Sequence, residues 1–314
     1  METLQAIKSR IRAVRNIGQI TKAMEVVSAT KMRRAQEIAL ASRPYAIAAL
    51  ALLGKILPRT PIETPLTKSR AVRTTLVILV TSDRGLAGAF NSQVLRLFER
   101  LLADDPYRER QGHRFLIATV GKKAAAYVDK RGYEVVGRFH GFGDYAEVEE
   151  VRPLADLVVS GFAAGRWDRV LTISTHFRTT LKQEVLIRQI LPADIEKIRE
   201  TVRELRPERG RYAGLSQLQA ASDQLPATTE YLFEPSPAEV LASLIPHLIT
   251  MQIYHLILEA NASEHSARMV AMKNASDNAA EVSGELTIAF NKARQAAITK
   301  ELVEITATRA ALEA

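Results

Sequence analysis

The sequence predicts an α/β protein in which long N- and C-terminal helices pair as an antiparallel coiled coil and a central α/β domain lies between them in the chain. Three observations carry this. Residues 1–57 repeat apolar side chains at intervals of three and four, the period of one helix face. Residues 74–192 switch to short β-branched apolar runs alternating with helical stretches. Residues 237–308 return to the helical period for ~70 residues, ~105 Å at 1.5 Å per residue.

In the first segment the apolar positions are Leu4, Ile7, Ile11, Val14, Ile17, Ile20, Met24 and Val27. So narrow a stripe suits a coiled-coil seam, and the run of threes around Ile17 and Ile20 predicts an irregular supercoil there. Pro44 kinks or interrupts this helix, and Pro58, Pro61 and Pro65 end it. In the central domain (74–192), TTLVILVTSD, RFLIATV, YEVVGRF, DRVLTISTHF and KQEVLIRQILP read as strands, the last two as a hairpin. Helical patterns at 91–103, 122–130 and 151–164 fall between them, which gives a Rossmann-like sheet with helices on its faces. Residues 193–236 form a variable linker and foot segment, with Pro207, Gly210, Gly214 and Pro226. The C-terminal helix spans 237–308, with Pro246 expected to kink or disrupt its first turns. Neither narrow seam can be covered by a compact core, so each helix buries its stripe against the other, with the α/β domain at one end. Much of the circumference of such a two-helix rod is exposed, which suggests a partner that surrounds or grips it.

Composition bounds the chemistry. The net charge of +8 and a pI near 9.7 favour acidic partners without choosing among nucleic acid, an anionic membrane and an acidic protein. The absence of cysteine excludes disulfides, thiolate metal sites and cysteine nucleophiles. The N-terminus has no continuous apolar core, so it is not a secretory signal. The apolar run at 240–258 is interrupted by Pro246, His247, Gln252 and His255, so no direct transmembrane segment is expected.

The candidate chemical motifs are thin. SDRGLAGAFN (82–91) follows a strand and opens a helix, where a glycine-rich turn can present N–H groups to phosphate. The Gly-Lys-Ser/Thr ending of a phosphate loop is missing, which favours a structural turn. GFGDYA (141–146) superficially matches a dinucleotide fingerprint, but it follows the third strand and is a weak signal alone. The six histidines show no metal-ligand spacing and the serines no nucleophile elbow, so neither cofactor nor metal is expected. Lys8, Arg10, Arg12, Arg15, Lys22, Lys31, Arg33 and Arg34 are either the solvated side of a coiled coil or an electrostatic track for acidic loops or phosphates. This stretch lacks aromatics that could stack bases, which argues against nucleic acid.

Specific strings go further. ITKAMEVVSATKMRRAQ (20–36) is similar to the N-terminal signature of the gamma-subunit family of F-type ATP synthases, and ASEHSARMVAMKNASDNA (262–279) with NKARQAAITKELVEI (291–305) resembles its C-terminal signature. SDRGLAGAFN resembles the family's central loop, and the resemblance covers nearly the whole chain except 59–73 and 196–229. It implies a central rotor that couples proton- or sodium-driven rotation of the membrane c-ring to ATP synthesis or hydrolysis on the alpha and beta subunits. The chain would have no catalysis or cofactor of its own. By this resemblance Lys22, Met24, Glu25, Arg33 and Arg34 face the beta subunits, as do Arg294, Gln295, Thr299 and Glu301 on the C-terminal helix. Arg43, Tyr45, Tyr231 and Glu234 would form the foot toward the c-ring, with the epsilon subunit nearby on the α/β domain. The implied place is the cytoplasmic side of a bacterial inner membrane, as a peripheral subunit. Ala87 stands where many family members have cysteine, which with the lack of cysteine elsewhere rules out thiol control. Two other readings compete at the level of sequence: a nucleotide-dependent switch on the α/β domain and a basic coiled-coil scaffold for nucleic acid.

Overall fold

The alternation of short apolar runs with helices builds one five-stranded sheet, ordered β3-β2-β1-β4-β5. Its strands are β1 (Thr74–Val80), β2 (Arg114–Val120), β3 (Val135–Phe139), β4 (Arg169–Phe177) and β5 (Gln183–Leu191). The structure is a computed structural model and describes residues 3–41, 48, 64–107, 112–194 and 234–313. Strands β1 to β4 are parallel, and β5 returns antiparallel against β4 as a hairpin. Helices α2 (Phe90–Asp104) and α3 (Lys122–Arg131) carry the chain outward from β1 to β3. Helix α4 (Val148–Ala163) then brings it back to β4 on the other side of β1, the doubly wound arrangement.

Because successive side chains in a strand point to opposite faces, each inner strand feeds two cores. Val77, Leu79, Ile117 and Ile173 meet Val94 and Phe98 of α2 and Ala124 and Val128 of α3. Leu76, Ile78, Val80, Leu116 and Ala118 meet Leu154, Val158 and Phe162 of α4. That same core includes Ile249, Ile253 and Ile257 of the C-terminal helix α5 (Pro237–Glu313). Burial on both faces is why these strands read as unbroken apolar runs. The sole tryptophan, Trp167, is buried and donates its indole N–H to the Val158 carbonyl at 3.1 Å.

Chain contacts divide the protein into two units: residues 30–267, and residues 1–29 with 268–314. In the larger unit α5 is buried almost all round between Leu248 and Ser263. Pro246 does not break the helix; α5 is continuous from Pro237 to Glu313. The proline removes one N–H, but flanking Ile245, Leu248 and Ile249 are buried, and that packing outweighs a helix-interior cost of ~3 kcal/mol. One 18-residue window of α5 reaches a mean hydropathy of 1.5, enough by length and composition to cross a membrane, but 61% of it is buried inside the protein. Packing against the sheet thus accounts for much of its apolar character.

The smaller unit is the coiled coil. Arg15 of α1 (Leu4–Ala41) donates from Nε to Ser283 Oγ at 3.4 Å, and Ser276 Oγ donates to the Gly18 carbonyl at 3.5 Å. A Cβ built on Gly18 would lie 3.4 Å from that of Ala279. Residue numbers fall along one helix as they rise along the other, so the pair is antiparallel. The covered positions of α1 are Leu4, Ile7, Ile11, Val14, Gly18, Thr21, Glu25 and Ser28, alternating steps of three and four without a break. The expected irregularity is therefore absent, and Ile17, Ile20 and Val27 are not in the seam; they are 53%, 60% and 52% exposed. Gly18 and Thr21 occupy the inward positions instead, small residues that let the backbones come close. On α5 the matching series is Met272, Ser276, Ala279, Ser283, Leu286, Phe290, Ala293 and Ala297.

Candidate partner-facing surface

The coiled coil has two apolar faces. One is the seam; the other carries Ile17, Ile20 and Val27, within about 80° of one another around α1 at 100° per residue, while Val26 lies on a different side, and each of the four is more than half exposed. Fully burying such a side chain is worth roughly 1.5–3 kcal/mol, so this face gains from being covered. Lys22 lies on the same exposed stretch and bridges Glu25 at 2.9 Å, the lysine side chain 62% exposed and the glutamate 18%. An exposed pair of this kind adds at most ~0.5 kcal/mol and leaves the ammonium open to an acidic partner. Met24 is half-buried between them in sequence, at the edge of the seam.

On α5, Arg294, Gln295, Thr299 and Glu301 are all exposed, and Thr299 Oγ1 donates to the Gln295 carbonyl at 2.9 Å. Residues 298–309 are exposed throughout, including Ile298 at 50%, Leu302 at 58%, Val303 at 59% and Ile305 at 64%. The antiparallel pairing puts the first-helix group near Lys22 about 20 residues along the coil from Arg294, or ~30 Å. The two expected groups are thus separate patches. Arg33 and Arg34 belong to the larger unit and are exposed, with Arg34 paired to Glu37 at 3.1 Å. Of the expected foot, Arg43, Tyr45 and Tyr231 lie outside the described residues. Glu234 is exposed just before α5, whose first turn is held by the Glu239 N–H donating to Ser236 Oγ at 3.3 Å.

The nucleotide-like motifs are knitted into the protein itself. Asp83, in the turn after β1, accepts the Lys122 N–H at 2.9 Å on Oδ1 and the Gly141 N–H at 2.8 Å on Oδ2. A carboxylate of the chain thus holds the position at the α3 N-terminus where a phosphate would be drawn by the exposed N–H groups and the helix dipole. Gly121, immediately before α3, has φ of +90° and no space for a side chain: a Cβ would fall 2.2 Å from the Thr81 carbonyl oxygen. In the second motif Asp144 is bridged to Lys31 of α1 and, at 2.9 Å, to His265 of α5, and Asn261 donates to the Gly143 carbonyl at 3.1 Å. Burial alone would raise the Asp144 carboxyl, but the Lys31 hydrogen bond and the His265 charge hold it below its usual range. A polar cavity of about 210 Å³ remains at the carboxyl ends of β1 and β2, lined in part by Asp83, Arg84, His140 and Glu264. Among the described residues no group of three or more His, Cys, Asp or Glu is placed to hold a metal ion.

A buried ionic cluster escaped the sequence reading. Glu259 of α5 accepts from His176 Nδ1 of β4 at 2.9 Å and from Arg188 Nη1 of β5 at 3.2 Å. Burial pushes the Glu259 carboxyl up, but the His176 hydrogen bond and the Arg188 charge outweigh it and keep the group below its ordinary 4.5. The signal was available: Gln252, His255 and Glu259 fall on one helical face along the apolar run at 240–258. Gln252 and His255 read as interruptions of that run and Glu259 falls one residue past its end, so the sequence reading does not join the three as the face of a buried helix.

A coiled coil with exposed apolar and cationic side chains outside its seam, on a chain that also carries a doubly wound domain, defines a class: an α/β protein whose long paired helices offer surface to partners. The comparisons name the family. The sequence matches the family model described as ATP synthase over residues 3–312. It is 38% identical to the ATP synthase gamma chain of Roseiflexus castenholzii, over 99% of each chain. Identity is 37% to that of Chloroflexus aurantiacus, over 99% of each, and 36% to that of Moorella thermoacetica, over 100% of each. Among solved structures, a chain of the Euglena gracilis mitochondrial ATP synthase aligns with a TM-score of 0.63 at 18% identity, covering 98% of this chain and 94% of that one. A chain of the Tetrahymena thermophila central stalk and c-ring aligns at 0.56 and 22% identity, covering 82% and 99%. At these identities the alignments establish the fold. The chain belongs to the ATP synthase gamma-chain family: it is a rotor subunit of the central stalk, in the peripheral part of a membrane-associated complex, and is not an enzyme alone.

Proposed function

We propose that the exposed face of the coiled coil and the C-terminal stretch of α5 are the surfaces through which rotation of this subunit reaches the alpha and beta subunits. The carrying observation is that residues 298–309 stay exposed while bearing Ile298, Leu302, Val303 and Ile305. Such a stretch suits the axis of a surrounding ring. Arg294, Gln295, Thr299 and Glu301 offer beta-subunit loops a guanidinium, an amide, a hydroxyl and a carboxylate. Lys22, Glu25, Arg33 and Arg34 provide charge near the first helix, where ammonium and guanidinium groups attract acidic segments. Met24 adds a flexible apolar contact that can slide without locking. The beta sites change affinity because these contacts differ with shaft angle, each angle favouring one conformation.

By sequence resemblance, Arg43, Tyr45, Tyr231 and Glu234 are assigned to the foot that meets the c-ring, with the epsilon subunit beside them. The coupling ion is then a proton or sodium, and the site of action is the cytoplasmic face of a bacterial inner membrane. The test is assembly of this chain with alpha and beta subunits, reading ATP hydrolysis with and without it. A stoichiometric complex with raised hydrolysis is expected, as is loss of that stimulation in the double variant Leu302→Asp/Ile305→Asp. A chain that neither joins the ring nor alters hydrolysis would contradict the reading.

A further inference from the structure

Within the larger unit, one face of α5 is polar although it is buried. Gln252, His255, Glu259, Ser263 and Ser266 follow one another at helical spacing, and none is more than 7% exposed. Opposite them, β4 presents Thr172, Ser174 and His176, also buried and alternating along one face of the strand. The bonds between the elements are specific. Glu259 takes His176 and Arg188, Ser263 Oγ donates to the Thr175 carbonyl at 3.4 Å, and Ser266 Oγ donates to the Thr180 carbonyl at 2.7 Å. The other faces of the same helix carry Ile249, Ile253, Tyr254, Ile257 and Leu258 in an ordinary apolar core.

Apolar packing tolerates rotation or a small slide of a helix, because its energy follows area rather than direction. A buried carboxylate does not. Moved by one residue, Glu259 would turn through about 100° and leave an uncompensated charge in the interior, while His176 and Arg188 would lose their acceptor. A buried ion cluster seldom adds net stability over apolar residues of the same volume; its best-attested use is to fix register. We propose that the Glu259–His176–Arg188 cluster is a positioning device that locks the angle and axial register of α5 in the α/β domain, so that torque passes between them without slip. This rests on the rotor reading above.

The test uses the parent chain, Glu259→Gln and the triple apolar variant Glu259→Met/His176→Leu/Arg188→Met, each in the assembled complex in membrane vesicles. Ion pumping and ATP hydrolysis are measured together. Because the chain has no cysteine, spin labels can also be placed cleanly at Leu181 on the hairpin tip and Ala242 on α5. We expect the triple variant to melt no lower than the parent and to hydrolyse ATP. It should nonetheless lose most of its pumping per ATP, with a broadened or displaced distance distribution between the labels. An unchanged pumping ratio or an unchanged distance distribution overturns the proposal. Should the triple variant not fold, Glu259→Gln is judged by the same two readouts. A parent complex that hydrolyses ATP without pumping contradicts the rotor reading itself, whereas a coupled parent with an equally coupled variant contradicts only the lock.

Discussion

At Gly161 a single methyl group would lie 1.9 Å from Cζ2 of Trp167, inside a core with no room to yield. Gly161→Ala should therefore cost about 1–3 kcal/mol by overpacking. The sole tryptophan reports it: denaturant unfolding followed by Trp167 fluorescence should show an earlier midpoint, and an unshifted midpoint would refute the contact. A second residue-scale expectation concerns acid. Glu259 is held below its ordinary 4.5 by His176 and Arg188 and so contributes stability above that value. The contribution is lost as pH falls below about 4.5 through the depressed folded value. Asp144, lowered by Lys31 and His265, acts with the same sign beneath its ordinary 3.8. Stability of the parent should decline through this range, and Glu259→Gln should start lower and decline less; equal slopes would contradict the ionised cluster. Little of this was legible in the sequence. Glu259 and His176 are 83 residues apart, and only the packing of α5 on β4 and β5 brings them together.

At the scale of elements, the seam of the coiled coil makes its own demand. Gly18→Ala adds a methyl 3.4 Å from Ala279 Cβ, an ordinary contact, and removes a glycine that weakens a helix by up to ~1 kcal/mol. It should stabilise the coil slightly, whereas Gly18→Leu should force the helices apart at a cost of about 1–3 kcal/mol. Circular dichroism melts of the two variants check the order, and a Leu variant as stable as Ala would contradict close approach. The two long helices were legible from periodicity. Which way α1 faces was not, because Gly18 and Thr21 carry no apolar signal and Ile17, Ile20 and Val27 imitate a seam. Those branched side chains serve the outer surface, a role that hydrophobicity alone cannot distinguish from burial. In the isolated chain the amides of residues 298–309, an exposed stretch throughout, should exchange rapidly with solvent. They should slow markedly on assembly with alpha and beta subunits; slow exchange in the isolated chain would show that this stretch needs no partner.

At the scale of the molecule, the strand runs at 74–83, 114–120 and 168–177 were plain because parallel strands buried on both faces must be apolar throughout. Their spatial order, β3-β2-β1-β4-β5, is written in no single residue. The function was legible only through strings such as ITKAMEVVSATKMRRAQ; the physics of the sequence stopped at a basic, two-helix shaft seeking an acidic partner. The structure adds that Asp83, in the turn after β1, takes the Lys122 N–H at the α3 N-terminus, where the helix dipole would otherwise draw a phosphate, and the Gly141 N–H as well. The central claim is that this chain turns inside its partners. The most direct measurement fixes the alpha–beta ring to a surface and attaches a probe to one engineered cysteine in this otherwise cysteine-free chain, followed under ATP. Stepwise rotation in one direction is the predicted result; a stationary probe on complexes that continue to hydrolyse ATP would contradict the account.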